Sequence, residues 1–107
     1  MGEKELQQMV IQLLQIMENK GELFYQRVNN TPVYDPTRKV FRSMGKGVKK
    51  GFPDIIIIKN GKFIGIELKG DKGVVSKEQK EVGKEIIDNG GEYHIVKELD
   101  QLIEILK

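Results

Sequence analysis

Two apolar runs separated by the dipeptide Asn60-Gly61 are the feature that most constrains the fold of this chain. An Asn-Gly pair between apolar segments is typical of a β-hairpin with a two-residue turn, and it predicts strands at 54–59 and 62–69. Because the turn sets the register of a hairpin, it determines which residues lie opposite each other. Both faces of the hairpin are largely apolar, which indicates a sheet that is covered on both sides.

The predicted register places Asp54 directly opposite Glu67, with Lys69 on the same face as Glu67. Opposed side chains have Cβ atoms about 4.5–5.5 Å apart, and like charges at that separation are destabilising. A cation between the two carboxylates would remove this penalty. Asp, Glu and Lys side chains that converge on one point are suited to metal-assisted hydrolysis of a phosphodiester. The simpler interpretation is a surface aspartate at a turn and a Glu–Lys pair on a strand.

Each residue of this group has a role that follows from its chemistry. Asp54 and Glu67 would ligate Mg²⁺ or Mn²⁺, together with the backbone carbonyl of Leu68. Lys69 would orient a metal-activated water molecule and offset the charge that builds on the phosphate. The composition agrees with a hard, oxygen-ligated cation, because the 107 residues include no cysteine and one histidine, His94.

The length of the chain is suited to one small domain, and we expect a single domain over residues 1–107. The N-terminal residues are charged and lack the apolar stretch of a signal peptide. The longest aliphatic run, Ile55 to Ile58, is too short to span a membrane. The sequence therefore predicts a soluble, cytoplasmic protein without a membrane partner.

A basic segment precedes the hairpin, and no acidic residue lies between Arg38 and Lys50. Positive charge beside a candidate metal site is suited to a polyanionic partner such as DNA. The candidate DNA contacts are Arg27, Arg38, Arg42, Lys46, Lys49 and Lys50. A solvated loop is the alternative interpretation of the basic segment.

The remaining elements follow from periodicity and from end signals. Apolar residues at helical spacing predict a helix over residues 3–19. Ser76 and Gln79 have the form of a capping box, which begins a helix that ends near Asp88. Strands are predicted at 22–29, 39–42 and 92–96, a final helix is predicted at 98–106, and the polar stretch at 30–37 has no predicted element. This order predicts an α/β fold with a mixed central sheet flanked by helices.

Two further polar residues are candidates for the site. Gln79 has a structural role as the third residue of the capping box, but it shares a helix face with Val82 and Ile86 and so points toward the sheet. Glu3 lies on the inward face of the first helix and could be a third acid near the metal. A favourable interaction of its carboxylate with the dipole of the first helix is the simpler explanation for Glu3.

Several of these segments occur together in a recognisable order. They are Glu3 with Leu6-Gln7, Arg27-Val28-Asn29, Gly51-Phe52-Pro53-Asp54, Glu67-Leu68-Lys69, Ser76 with Gln79, and Gly90-Gly91. Together they resemble the VRR-NUC (virus-type replication-repair nuclease) family of the PD-(D/E)XK nuclease superfamily, over most of the chain. The resemblance implies a restriction-endonuclease-like αβββαβ core and a divalent-metal nuclease. It also implies that Asp54, Glu67 and Lys69 are catalytic and that Gln79 is a supporting site residue.

The chain is similar in size to the standalone, phage-type members of this family, which resemble Holliday-junction resolvases, enzymes that act as dimers; a homodimer is therefore expected. The resemblance therefore implies a DNA-repair endonuclease for branched DNA, in a phage-infected bacterial host. A four-way junction has two-fold symmetry, and a C2 dimer would present two sites in matching symmetry. Two alternatives stay open: a sequence-specific restriction-type nuclease, and a non-catalytic nucleic-acid-binding module that uses the basic segment.

Overall fold

The computed structural model describes residues 1–28, 34–41 and 45–107 of the chain. Within these residues it contains three helices and six strands. In chain order they are α1 (Glu3–Asn19), β1 (Phe24–Arg27), β2 (Tyr34–Asp35), β3 (Val40–Phe41), β4 (Ile55–Lys59), β5 (Lys62–Leu68), α2 (Lys77–Asp88), β6 (Glu92–Val96) and α3 (Leu99–Ile105). No helix in this described part of the chain is long and apolar enough to cross a membrane.

The longer strands form one mixed sheet with the order β1-β4-β5-β6. Strand β4 pairs with β1 and with β5 in antiparallel fashion, whereas β5 and β6 are parallel. Parallel neighbours need a crossover connection, and α2 supplies it between β5 and β6. The prediction of an α/β fold with a mixed sheet flanked by helices is therefore confirmed.

The central hairpin has the predicted turn and register. Asn60 and Gly61 both have positive φ angles, of 53° and 76°, as a type I′ turn requires. Pairing continues along the two strands as far as Ile55 opposite Ile66. The turn therefore brings the far ends of β4 and β5 together, where the two predicted acids lie.

One face of the sheet packs against α1 and α3 and forms the hydrophobic core. Helix α1 is amphipathic and buries Leu6, Val10 and Leu14. The other buried core side chains are Leu23, Ile55, Ile57, Ile64, Ile66, Leu68, Val96, Leu102 and Leu106. Burying an aliphatic side chain of this size contributes about 1.5–3 kcal/mol to stability. This core holds the strands that position the candidate site.

The opposite face of the sheet is covered only in part. Helix α2 packs on β6, where Gly83 lies against the ring of Tyr93. At the β1 side of the same face, Phe24 is 54% exposed and Ile58 is 42% exposed. The apolar pattern predicted cover on both faces along the whole hairpin. A helix that connects β5 to β6 lies over those two strands, and so it covers only the nearer half of the face.

The segment before β4 differs most from the prediction. The polar stretch at 30–37 contains β2, which pairs with β3 in a separate two-stranded ribbon. The Asp35 carboxylate accepts hydrogen bonds from the N–H groups of Thr37 and Arg38 at 3.0 and 3.3 Å, and this closes the turn of the ribbon. A two-residue strand carries no period-two pattern, which is why β2 was not predicted. Strands β1 and β3 are shorter than the predicted 22–29 and 39–42, whose residues 29 and 42 lie outside the described part.

Candidate functional site

Asp54 lies just before β4, and two backbone N–H groups hold it, one through its side chain and one through its main-chain carbonyl. Its side-chain Oδ2 accepts a hydrogen bond of 2.8 Å from the N–H of Leu68. Its main-chain carbonyl accepts a hydrogen bond of 2.7 Å from the N–H of Val28. The buried Pro53 precedes it. These contacts fix the carboxylate at the end of the hairpin, next to the end of β5.

Glu67 lies near the end of β5 and is only 1% exposed. Its Oε2 is 4.0 Å from Nζ of Lys69. Its Oε1 is buried and has no hydrogen-bond partner among the described residues. A buried polar group without a partner costs about 1–3 kcal/mol, and more when it is charged. The Glu67 carboxyl therefore destabilises the fold unless a further partner interacts with its buried Oε1.

Burial and the neighbouring Asp54 carboxyl together raise the pKa of Glu67 to about 9. The positive charge of Lys69 opposes this increase. A hydrogen bond between the carboxyls of Glu67 and Asp54, which contributes to the raised pKa of Glu67, requires a proton, because two ionised carboxylates are both acceptors. Two negative charges on this pair of carboxyls are therefore unfavourable, and a bound cation would stabilise the doubly ionised form.

Lys69 follows β5 and has a side chain that is 13% exposed. Its N–H donates a hydrogen bond of 3.0 Å to the carbonyl of Val96, which extends the pairing of β5 with β6. The loop after it folds over its aliphatic stem, since a Cβ on Gly73 would lie 3.1 Å from Cβ and Cδ of Lys69. The ammonium group is thereby kept near Glu67 rather than in open solvent.

Glu3 begins α1 beside the same end of the sheet. A Cβ on Gly70 would lie 2.8 Å from the backbone nitrogen of Glu3, so helix and strand end approach closely. The charge of Glu3 also contributes to the raised pKa of Glu67. Within residues 1–28, 34–41 and 45–107, however, no group of three or more His, Cys, Asp or Glu side chains is arranged to hold a metal ion. The role of Glu3 as a third ligand stays a prediction.

Gln79 has the predicted capping role. Its N–H donates to Ser76 Oγ at 3.1 Å, and its side-chain Oε1 accepts from the N–H of Ser76 at 2.9 Å. Its backbone nitrogen also faces Gly51, where a Cβ would lie only 2.7 Å away. Gln79 therefore fixes the start of α2 against the segment that leads into Asp54, and a direct part in the site stays a prediction.

The predicted DNA contacts are Arg27 on β1 and residues of the basic segment before β4. Arg27 is exposed at the end of β1, where it pairs with Ile55, and Lys46 is exposed in the basic segment. Arg42 lies outside the described residues.

The other basic residues have acidic neighbours. Arg38 Nε lies 3.9 Å from Asp35, Lys49 Nζ lies 3.8 Å from Glu85, and Lys50 Nζ lies 3.7 Å from Glu78. Exposed ion pairs of this kind contribute about 0–1 kcal/mol, so they do not prevent these cations from contacting a polyanion.

Tyr93 is near the acids and was not predicted as a site residue. Its hydroxyl is buried and has no hydrogen-bond partner among the described residues. Burial and the negative charges of Glu67 and Asp54 raise the pKa of Tyr93 to about 12. Its only signal in the sequence is a tyrosine on a strand together with Gly83 within a helix, a combination that packing alone would explain. His94, in contrast, has a partner, since its Nε2 lies 2.8 Å from Glu92.

The donor set fits a hard divalent cation. It consists of the carboxylates of Asp54 and Glu67, both oxygen donors, and one of these oxygens is buried without a partner among the described residues. Hard cations such as Mg²⁺ and Mn²⁺ prefer oxygen ligands, and a positive charge would offset the burial of Glu67. Lys69 is too far from Glu67 Oε2, at 4.0 Å, to do this alone.

Comparison with known proteins gives one match. A family model described as the VRR-NUC domain matches residues 3–97, which is nearly the whole chain. No curated protein and no solved structure matches the chain. The matched range includes α1, the four-stranded sheet, α2 and both carboxylates of the site. The family indicates a nuclease-type function and usually involves divalent metals. The chain belongs to the VRR-NUC family.

Proposed function

We propose that this chain is a divalent-metal-dependent DNA endonuclease that hydrolyses phosphodiester bonds in branched DNA, as Holliday-junction resolvases do. The observation that carries the proposal is the buried carboxyl of Glu67 beside Asp54 and Lys69. An acid that is costly to bury and lies next to a second acid needs a functional reason, and cation binding supplies one.

Asp54 and Glu67 would hold Mg²⁺ or Mn²⁺, together with the backbone carbonyl of Leu68. When bound, the cation would lower the pKa of a water molecule and polarise the scissile phosphate. The hydrogen bond from Leu68 N–H orients the Asp54 carboxylate without removing its charge. Glu3, at the start of α1 beside Gly70, is a further candidate ligand.

Lys69 would act on the reacting atoms directly. Its ammonium group would donate hydrogen bonds to the attacking water and to a phosphate oxygen, and would offset the negative charge that grows there. The partial burial of its stem reduces the conformational freedom that it must lose to do so. Gln79 would support the site indirectly, since it holds the start of α2 against Gly51.

The order of elements supports a restriction-endonuclease-like core within one nuclease domain over residues 1–107. When the ribbon of β2 and β3 is set aside, the order α1-β1-β4-β5-α2-β6 is the αβββαβ order of that core. The ribbon and the rest of the basic segment are then an insertion between the first and second core strands. This insertion is suited to the DNA backbone because it contains several exposed cations: Arg38, Lys46, Lys49 and Lys50.

The substrate class and the assembly follow from symmetry and charge. A single small site cuts one strand at a time, whereas a four-way junction presents two equivalent strands. A homodimer would place two copies of the Asp54–Glu67 site in matching symmetry. Arg27 and the basic segment, including Arg42, would contact phosphates without reading sequence, which agrees with recognition of DNA shape.

Lys69→Ala tests the proposal in a direct way. Purified protein is incubated with Mg²⁺ or Mn²⁺ and labelled linear, flap, fork and four-way substrates. We expect cleavage of branched substrates only with metal, and a loss of about 10²–10³-fold in the Lys69→Ala variant with DNA binding retained.

Three other outcomes would contradict parts of the proposal. Cleavage of linear duplexes at a fixed sequence indicates a restriction-type nuclease. Binding of DNA that weakens strongly with salt, without any metal-dependent product, indicates a non-catalytic binding module. Full activity of the Lys69→Ala variant would overturn the role assigned to that residue.

Gly51→Ala is expected to impair cleavage through the position of Asp54. Gly51 has a φ of 87°, and a Cβ there would lie 2.5 Å from the carbonyl carbon of Glu78. Both strain and overlap must push the following segment away from α2, at a cost of about 1–3 kcal/mol. Gly21→Ala is a matched control, because its φ is 75° and no atom lies within 4 Å of the added Cβ. Urea unfolding and cleavage rates check this, and an equal loss of activity in both variants would contradict it.

A further inference from the structure

Tyr93 lies on the α2 side of the sheet, in the middle of β6. It pairs with Gly65, two residues before Glu67 on β5. Side chains alternate along strands, so the side chains of Tyr93 and Glu67 are on the same face. Gly65 itself has no side chain, and Pro53 and Ile86 pack over it.

The ring of Tyr93 is held in place by α2. Gly83 is buried within that helix, and a Cβ on it would lie 2.5 and 2.6 Å from Cδ2 and Cε2 of the ring. Glycine is unfavourable inside a helix, so the close approach of the ring to Gly83 lowers the stability of α2 itself. The helix therefore fixes the ring, and with it the hydroxyl at the ring's far end.

Packing does not explain the hydroxyl of Tyr93. A phenylalanine would fill the same space under Gly83 without burying a polar atom. Among the described residues, the buried side-chain atoms without a hydrogen-bond partner are the Tyr93 hydroxyl and Glu67 Oε1. One is a donor and the other is a carboxyl oxygen that accepts. The two atoms do not bond to each other, although the side chains of Tyr93 and Glu67 lie on the same face of the sheet.

We propose that Tyr93 is a positioning residue of the site, and that its hydroxyl, which has no partner among the described residues, donates a hydrogen bond to the Glu67 carboxylate once a divalent cation has ionised it. The bond would then hold the ionised Glu67 in one rotamer beside Asp54. Groups that orient a metal ligand in this way typically change metal affinity or activity about 10–100-fold when they are removed. This inference rests on the proposed function, because it assigns Tyr93 to the same metal site.

Tyr93→Phe tests the inference, because it removes the hydroxyl and keeps the ring. Tyr25→Phe is the matched control, since the Tyr25 hydroxyl bonds to Gln15 Oε1 at 2.7 Å on the outside of α1 and β1. Mn²⁺ affinity is measured by isothermal titration calorimetry, and cleavage is measured at saturating Mn²⁺. Unfolding temperature is measured in chelator.

We expect Tyr93→Phe to weaken Mn²⁺ binding about tenfold and to lower kcat, with an unchanged KM for DNA. The metal-free unfolding temperature should stay the same or increase, because a buried hydroxyl without a partner is removed. Tyr25→Phe should leave Mn²⁺ affinity and cleavage unchanged. A Tyr93→Phe protein with lower thermal stability but wild-type Mn²⁺ affinity and kcat would overturn the inference and leave Tyr93 as a packing residue.

The same measurements separate this inference from the proposed function. If the wild-type protein neither binds Mn²⁺ nor cleaves DNA, both fail together. If the wild-type protein does both, and Tyr93→Phe is identical to it, only the assignment of Tyr93 fails. Asp54→Ala completes the comparison, because it should abolish Mn²⁺ binding whether or not Tyr93 has the proposed role.

Discussion

Replacing Glu67 with glutamine is expected to slow DNA cleavage by about three orders of magnitude while making the metal-free protein more stable. Glutamine has nearly the same shape as glutamate but carries no charge. The variant therefore loses a proposed ligand for the cation without leaving a cavity in the sheet. Loss of function and gain of stability from one substitution is the result that distinguishes a site residue from a residue of the core.

The gain in stability follows from the surroundings of Glu67. Burial and the neighbouring Asp54 raise its pKa to about 9, so the ionised form is unfavourable in the metal-free protein. A neutral amide has no such penalty, and its NH₂ group can donate to the carboxylate of Asp54. A gain of about 1 kcal/mol would raise the unfolding temperature of a domain of this size by about 4–8 °C.

Single-turnover cleavage of a labelled four-way substrate measures the first effect, and thermal unfolding in chelator measures the second. Glu104→Gln is a suitable control, because Glu104 is exposed on α3 and pairs with Lys107. It should change neither quantity by more than a small amount. A Glu67→Gln protein that cleaves at the wild-type rate, or that is less stable than wild type without metal, would contradict the role assigned to Glu67.

The hairpin could be predicted because its information is local. The Asn60-Gly61 turn needs two adjacent residues with positive φ, and those two residues determine the register of every pair that follows. The opposition of Asp54 and Glu67 is a consequence of that register. The capping box of Ser76 and Gln79 is local in the same way, because its two hydrogen bonds join residues three apart.

The burial of Glu67 could not be predicted from the same residues. It depends on β6, which pairs with β5 in parallel, and on α2, which lies over both strands. Neither contact is encoded in the hairpin itself. The position of Tyr93 depends on the same packing, since its ring is fixed by Gly83 on α2. Contacts that depend on a crossover helix cannot be predicted until the position of that helix on the sheet is known.

The basic segment shows a second limit of sequence patterns. Its cations were predicted as DNA contacts because no acid lies among them in the chain. In the structure, Lys49 and Lys50 face Glu85 and Glu78 on the outer side of α2. These pairs are exposed and weak, so DNA would compete with α2 for the same lysines. The prediction that these lysines contact DNA is therefore compatible with the ion pairs.

Mn²⁺ is expected to raise the unfolding temperature of the protein, and to raise it more at pH 8 than at pH 6. The pKa of Glu67 increases from its ordinary value near 4.5 to about 9 in the folded, metal-free protein. The folded state thus binds this proton more tightly than the unfolded chain does. The resulting stabilisation is complete below pH 4.5 and is lost as the pH rises toward 9. A cation must displace the same proton, so its affinity increases over that range.

The unfolding temperatures with and without Mn²⁺ should therefore diverge as the pH rises. At a Mn²⁺ concentration about 100 times the Kd, binding stabilises the folded state by about 2.7 kcal/mol. This corresponds to an increase on the order of 10 °C for a domain of this size. Scanning calorimetry at pH 6, 7 and 8, with chelator or with Mn²⁺, measures the difference. Glu67→Gln should lose both the pH dependence and most of the Mn²⁺ effect. An equal Mn²⁺ effect at pH 6 and pH 8, or an undiminished one in Glu67→Gln, would mean that the cation binds elsewhere.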